Sequence, residues 1–396
     1  MRHKSFMVIA GEASGDLLAS ELTRALRARA PGGMQPVFFG AGGPHMAKVG
    51  VDLAFDLTAH AVVGIWEVVR QYWKFRRFFH QLLAMAEERR PDVIIGVDYS
   101  GFNRRFAQAA KRRAQAMVGS DWNPHLVQFV SPQVWASRSG RAQAMARDYA
   151  MVLSIFPFEK DWYASHAPGL RVEFVGHPIF DRYPPKVVTG QSAAAEPYVV
   201  FLPGSRVAEL KRHLPPLLGA WAILRTTLPG LRARMVLPNN ELMALTRSFN
   251  PPPEIVLQVG GLADALRGAT IALASTGTVT VECAYFGVPT VALYKTSWLT
   301  FEIARRLVKV QHLAMPNLLA NERLFPEFIQ TEATAENLAR AALALLQDDL
   351  QRAQIKRRLG KVMATLGQPG AADRAAQRVW ELLDSPTPHA GEIIAG

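Results

Sequence analysis

Twice along this chain a short apolar, β-rich run stops at a loop of small residues and gives way to an amphipathic helical pattern. The first instance is Phe6 to Ala10, then Gly11-Glu12-Ala13-Ser14-Gly15-Asp16, then a helical pattern from Leu17 to about Arg29. The second is Val199 to Leu202, then Pro203-Gly204-Ser205-Arg206, then a helical pattern to about Leu224. A strand that is apolar throughout must be buried on both faces, and a helix that follows at once supplies one cover, so each unit predicts a parallel sheet between helices. At 396 residues the chain is long enough for two such cores.

Further strands are expected at Pro36 to Phe39, Val93 to Val97, Leu126 to Val130, Met151 to Ile155 and Val172 to Val175, and then at Ala233 to Leu237, Ile255 to Val259, Ile271 to Ala274 and Thr290 to Leu293. Residues 177–197 carry Pro178, Pro184, Pro185, Pro197 and Gly190 without sustained periodicity, which predicts a linker. The expected organisation is a first lobe over 1–176, that linker, a second lobe over 198–370, and a C-terminal helix and tail over 371–396, with packing back onto the first lobe as one option. The fold class is α/β: two Rossmann-like lobes with parallel sheets facing a central cleft. Ligands of such sheets bind beyond the carboxyl ends of the strands.

Four strand ends therefore carry the candidate chemistry. The Gly11–Asp16 loop can turn main-chain N–H groups toward an anion or sugar; it can equally be a tight turn with Ser14 or Asp16 as a helix cap. Asp98 ends the strand from Val93 and is the best general-base candidate, the alternative being a cap for the helix near Gly101-Phe102-Asn103. Arg206, after Leu202-Pro203-Gly204-Ser205, can fork onto diphosphate oxygens or lie on the surface beside an ordinary cap. Ser275-Thr276-Gly277-Thr278 offers hydroxyls and N–H groups to phosphate, and Glu282, a turn further on, suits ribose hydroxyls or anchors the helix.

Residues 62–83 form a helical pattern with one narrow polar stripe, Glu67, Arg70, Gln71, Lys74, Arg77 and Gln81. The rest is apolar, with Trp66, Tyr72, Trp73, Phe75, Phe78 and Phe79 interleaved with basic residues. That composition fits an acyl-chain or membrane-surface helix, and it also fits a core helix.

Other classes are set aside. One cysteine, Cys283, allows no disulfide framework or cysteine zinc site within the chain. The apolar run at the N-terminus ends at Gly11-Glu12, too early for a secretory signal, and no apolar stretch reaches the ~18 residues of a spanning helix, so a cytoplasmic protein with at most peripheral membrane contact is expected. The 45 Lys and Arg against 33 Asp and Glu give +12, a field that attracts phosphate-bearing partners. Without zinc-finger spacing, an RNP signature or a basic block, nucleic acid is not the expected partner. H-E-x-x-H, G-x-S-x-G, Walker A and a strand-end D-x-D pair are all missing, so no cofactor and no metal-bridged diphosphate is expected.

Read in order, AGEASGD, Asp98 with Phe102-Asn103, VSPQVWA (Val130 to Ala136), FPFEK (Phe156 to Lys160), FVGHP (Phe174 to Pro178), LPGSR with Glu209, STGT with Glu282-Cys283, and MPNLLA (Met315 to Ala320) resemble lipid-A-disaccharide synthases over nearly the whole chain. The resemblance implies a B-type glycosyltransferase fold, UDP-2,3-diacylglucosamine as donor, and 2,3-diacylglucosamine 1-phosphate as acceptor at the inner face of the inner membrane, an anionic surface. The implied products are a β-1,6-linked disaccharide and UDP. It makes Asp98 the essential aspartate and assigns donor binding to Gly204, Ser205, Arg206, Ser275, Thr276, Gly277, Thr278, Glu282 and Asn317. It puts Glu12, Ser14 and Gly15 on the acceptor or cleft side. After Asp98 this chain reads Tyr99-Ser100-Gly101 where many relatives carry a proline and some a second aspartate, so position 101 offers no second acid. Two rival expectations are another sugar-nucleotide enzyme on the same fold, such as an epimerase, and a non-catalytic sugar-nucleotide or lipid-binding module.

Overall fold

The structure, a computed structural model, describes residues 3–60, 65–117, 119–137, 139–183, 197–307 and 310–384; within these, the side chains of residues 60 and 65–72, and of 299, 303, 304, 306 and 307, lie outside the description. The chain divides into two compact units, Met1–Arg182 with Leu366–Gly396, and Tyr183–Thr365.

In the first unit seven parallel strands lie in the order β3-β2-β1-β4-β5-β6-β7: β1 (Ser5–Ala10), β2 (Val37–Gly42), β3 (Asp52–Asp56), β4 (Val93–Val97), β5 (His125–Phe129), β6 (Met151–Ser154) and β7 (Val172–Phe174). β1 and β4 occupy the middle, and Phe6 through Ala10 and Val93 through Val97 are all buried. β1 is joined to β2 by α1 (Ala13–Ala28), and the helices Ile65–Arg89 and Ser100–Ala116 flank β4. In the second unit β8 (Tyr198–Leu202), β9 (Arg232–Leu237), β10 (Ile255–Val259), β11 (Ile271–Ser275), β12 (Thr290–Tyr294) and β13 (Glu327–Ile329) form a six-stranded parallel sheet in the order β10-β9-β8-β11-β12-β13. Both are the Rossmann-like sheets the strand–loop–helix units predict.

In each sheet the strand order reverses beside the first strand of the unit: between β1 and β4, and between β8 and β11. At such a point the two flanking connections leave in opposite directions and open a crevice beyond the strand ends, which is where ligands of open α/β sheets sit.

The last helix, Ala371–Asp384, belongs to the first unit. Its apolar face (Ala371, Ala375, Ala376, Val379, Trp380 and Leu382) is buried. Trp380 sets its ring edge-on to Phe6 at 5.4 Å and donates its indole N–H to the carbonyl of Leu26 at the end of α1. Asp181 accepts from the N–H of Ala371 at 2.9 Å and from that of Gly370, which holds the start of this helix.

Two expected boundaries move. Residues 177–182 belong to the first unit and not to a linker, because His177 is buried, its N–H donates to the carbonyl of Leu366, and its Nδ1 accepts from the N–H of Ile179. The second unit ends at Thr365, five residues before the expected 370. The remainder of the proline-rich segment, 184–196, and the tail, 385–396, lie outside the described residues. Edge strands β3 and β13 were not among the expected strands.

Candidate active site

The first unit brings the Gly11–Asp16 loop and Asp98 to one switch point. Gly11 follows β1, and a side chain there would overlap the ring of Tyr99, whose Cδ1 would lie 2.2 Å from the added carbon. Only glycine lets that ring close over the loop. Gly15 packs less tightly against the end of β4: an added Cβ would lie 3.3 Å from the carbonyl oxygen of Val97 and 3.6 Å from the Cβ of Asp98. Glu12, half-buried, is the N-cap residue of α1, and Ser14 is exposed. Burial raises the pKa of Tyr99, and the nearby carboxylate of Glu12 raises it further, so both groups face one region. Asp16 takes a different part. Its buried carboxylate accepts main-chain N–H bonds from Gly43, His45 and Met46, and so caps the short helix Pro44–Lys48 rather than its own.

Asp98 and Tyr99 leave β4 in the left-handed region, with φ of 49° and 39°. Such values are uncommon for residues other than glycine and persist only where neighbours hold them. Here the N–H of Asp98 donates to the carbonyl of Phe129 at 2.9 Å, and its carbonyl accepts from Asn103 Nδ2 and Gln128 Nε2, each at 2.9 Å. The N-cap of the helix Ser100–Ala116 is Tyr99, one residue beyond Asp98.

A second polar cluster lies past the ends of β5 and β6. The buried carboxylate of Glu159 accepts from Ser154 Oγ at 2.6 Å and from Trp135 Nε1 at 2.9 Å. Burial pushes its pKa up to about 7 even though those hydrogen bonds pull it down. The VSPQVWA and FPFEK segments are thus tied to each other by one carboxylate.

In the second unit the loops after β8 and β11 meet. Gly204 has φ of 121°, a conformation that favours glycine. A Cβ there would lie 2.7 Å from Glu209 Oε2 and 3.5 Å from Ser275 Oγ. Glu209 braces the loop from below, accepting the N–H of Ser205 at 3.3 Å and standing 3.6 Å from Arg206 Nη1. Ser205, Arg206, Gly277 and Thr278 are exposed at the starts of the helices Val207–Thr227 and Thr278–Tyr285, and Thr276 is half-buried beside them. Two helix N-termini and an arginine thereby surround one anion-accepting surface. Ser275 is 4% exposed and supports that surface from within.

His213, on the helix that follows this loop, is a residue that sequence reasoning missed. It is fully buried, its Nδ1 lies 2.7 Å from the carbonyl oxygen of Pro203, and its Nε2 accepts the N–H of Lys295 at 2.9 Å. Those partners require the neutral ring with the proton on Nδ1, and burial lowers its pKa accordingly. Glu282 accepts from the hydroxyl of Tyr183 at 2.9 Å, so it serves as an anchor in addition to whatever it offers a ligand.

Asn317, expected among the donor-binding residues, is 0% exposed, and its amide is engaged internally. Nδ2 donates to the carbonyl of Phe325 and to Glu327 Oε1, and Oδ1 accepts the N–H of Phe325. Together with Glu327, which also accepts the N–H groups of Leu313 and Ala314, it ties helix Met315–Ala320 to β13.

The aromatic helix also divides. Trp73 is 71% exposed, with Lys74, Arg76 and Arg77 exposed beside it. Phe75 and Phe79 pack instead against the core of the first unit, Phe79 edge-on to Phe102 at 5.5 Å and to Phe106 at 5.7 Å. The side chain of Trp66 lies outside the described residues. Among the described residues no helix is long and apolar enough to cross a membrane, and no group of three or more His, Cys, Asp or Glu could hold a metal ion.

Two doubly wound sheets, one with a strand-end carboxylate and the other with an anion-accepting pair of helix starts, define the class of the B-type glycosyltransferase fold. Solved structures agree on the fold: a putative UDP-N-acetylglucosamine 2-epimerase from Listeria monocytogenes superposes with a TM-score of 0.64 at 14% identity, over 98% of this chain and 100% of that one. The glycotransferase of kitacinnamycin gives 0.61 at 18% identity, over 96% and 100%. The family model described as lipid-A-disaccharide synthetase matches residues 6–380. A lipid-A-disaccharide synthase from Geobacter metallireducens is 35% identical over 396 aligned positions, covering 96% of this chain and 98% of the relative. The chain belongs to the lipid-A-disaccharide synthase family, and it is a glycosyltransferase of lipid A biosynthesis.

Proposed function

We propose that this enzyme transfers 2,3-diacylglucosamine from UDP to the 6-hydroxyl of 2,3-diacylglucosamine 1-phosphate, giving the β-1,6-linked disaccharide 1-phosphate and UDP. The observation that carries the reading is Asp98: a carboxylate at the carboxyl end of a central strand, beside the switch point, on a main chain held left-handed by named partners. A single displacement with inversion uses it as general base. Asp98 takes the proton of the acceptor hydroxyl as that oxygen attacks the anomeric carbon, and the bond to the UDP oxygen breaks on the opposite face.

The departing diphosphate needs positive charge and N–H donors that are already in place. The exposed Arg206, the main-chain N–H groups at Gly277 and Thr278, and the hydroxyls of Ser205, Thr276 and Thr278 are suited to that task, and Glu282 to the ribose. Glu12, Ser14 and Gly15 fall to the acceptor side. Both substrates carry acyl chains, so the enzyme works at the inner face of the inner membrane. Trp73 supplies an aromatic contact there, and Lys74, Arg76 and Arg77 each add about 1 kcal/mol near an anionic surface.

Incubation of the protein with UDP-2,3-diacylglucosamine and 2,3-diacylglucosamine 1-phosphate, followed by mass spectrometry, tests the reading. A disaccharide 1-phosphate formed mole for mole with UDP is expected. An epimerised UDP-sugar made without acceptor, or saturable binding without turnover, would overturn it.

A further inference from the structure

β5 carries an anomaly that the proposed reaction does not by itself require. His125–Phe129 runs through the middle of a sheet covered on both faces, where side chains are apolar, yet its fourth residue is Gln128, and Gln128 is 0% exposed. A buried primary amide is costly unless its donors and acceptor are used. The amide of Gln128 is fully used, and on a particular set of partners. Nε2 lies 2.9 Å from the carbonyl oxygen of Asp98, 3.2 Å from that of Val130 and 3.3 Å from that of Phe129. Oε1 accepts from the hydroxyl of Tyr149 at 3.3 Å, a ring that is itself buried.

Two of those carbonyls belong to left-handed residues. Asp98 ends β4 with φ of 49°, and Val130 follows β5 with φ of 66°. Val130 is β-branched, for which such a value is a true outlier. The two strands are adjacent, with Gly96 opposite Gln128 and Val97 opposite Phe129. One side-chain amide therefore clamps the turns that end two neighbouring strands, and a second, Asn103 Nδ2, grips the Asp98 carbonyl as well.

We infer that Gln128 is a positioning residue for the transfer reaction: by donating to the carbonyls of Asp98 and Val130 it holds the β4 turn left-handed and so fixes where the Asp98 carboxylate stands. The inference rests on the reading of Asp98 as the base. A carboxylate displaced by about 1 Å from its proton can cost on the order of a hundredfold in rate without weakening substrate binding. Gln128 touches no substrate in this scheme. Its effect passes through the main chain of Asp98.

Gln128→Met keeps the size and removes the amide, and the full-length variant is compared with the wild type and with Asp98→Ala in the disaccharide assay. Thermal melting confirms that each is folded at the assay temperature. The expected result is a fall in kcat of at least tenfold for Gln128→Met with KM for both substrates within twofold, beside an inactive Asp98→Ala. A purely structural glutamine lowers the melting temperature and leaves kcat of the folded protein unchanged. A normal kcat, or a loss confined to KM, with Asp98→Ala inactive, overturns the inference and leaves the base in place. Normal turnover by Asp98→Ala removes the base and the inference together. If Gln128→Met does not fold, Tyr149→Phe, which deletes only the hydroxyl that holds Oε1, is expected to lower kcat at least threefold at unchanged KM, and an unchanged kcat there overturns the inference.

Discussion

His213 donates its Nδ1 proton to the carbonyl of Pro203 across 2.7 Å, ten residues back along the chain, while its other nitrogen accepts the N–H of Lys295. The loop that presents Ser205 and Arg206 is thus pinned to the end of β12 through one buried, neutral imidazole. Replacing His213 with Phe leaves a carbonyl and an N–H unpaired in the interior, at a cost of about 1 to 3 kcal/mol each. The expected result is a lower unfolding free energy together with UDP affinity weakened about tenfold, or ~1.4 kcal/mol, read by calorimetry. An intact UDP affinity would show that the loop does not need this brace. The pKa of His213 is lowered in the folded state, so its contribution is present above the ordinary histidine range and is lost as the pH falls.

Glu159 has the opposite sign. Burial raises its pKa from 4.5 to about 7, so the folded protein holds that proton more tightly than the unfolded chain. The stabilisation is full below the ordinary carboxyl range and disappears as the pH rises to about 7. Glu159→Gln mimics the neutral form: its oxygen can accept from Trp135 Nε1 and its N–H can donate to Ser154 Oγ, reversing the bond that the carboxylate accepts. Denaturant unfolding of both proteins should show the wild type losing about 2 to 3 kcal/mol relative to the variant between pH 5 and pH 8. A pH-independent difference would mean that the carboxyl titrates normally.

Trp73 and Phe79 should separate membrane contact from packing. Trp73→Ser removes a ring that is 71% exposed and should change stability by less than about 0.5 kcal/mol while reducing sedimentation with anionic vesicles. Phe79→Ser removes a ring that packs against Phe102 and Phe106 and should destabilise by about 2 to 4 kcal/mol. Unchanged vesicle binding by Trp73→Ser would move the lipid contact elsewhere.

The central strands were legible because both sheets bury them completely: Val93 to Val97 is an uninterrupted apolar run that matches β4 residue for residue. β3 was not, since Asp52–Asp56 lies on an edge, places acidic residues at both ends and leaves alternate positions exposed. β13 is only three residues long. The placement of residues just past a strand end was legible, as with Asp98, Arg206 and Gly277. It was illegible where a role depends on a partner distant in sequence. Gln128 reads as one polar residue in an apolar run until the fold sets it beside the Asp98 carbonyl, 30 residues away. Asn317 reads as a polar residue of a motif until Glu327 and Phe325 are seen to consume its amide.

The most direct test of the account is Asp98→Asn, which keeps the shape of the side chain and its exit from β4 but cannot take a proton. Single-turnover transfer and UDP binding are measured on the same preparation. With Asp98 as the base, UDP affinity stays within twofold of wild type and the rate of disaccharide formation falls by about 10² to 10⁴, the usual share of a general base. Disaccharide formation at the wild-type rate by folded Asp98→Asn would contradict it.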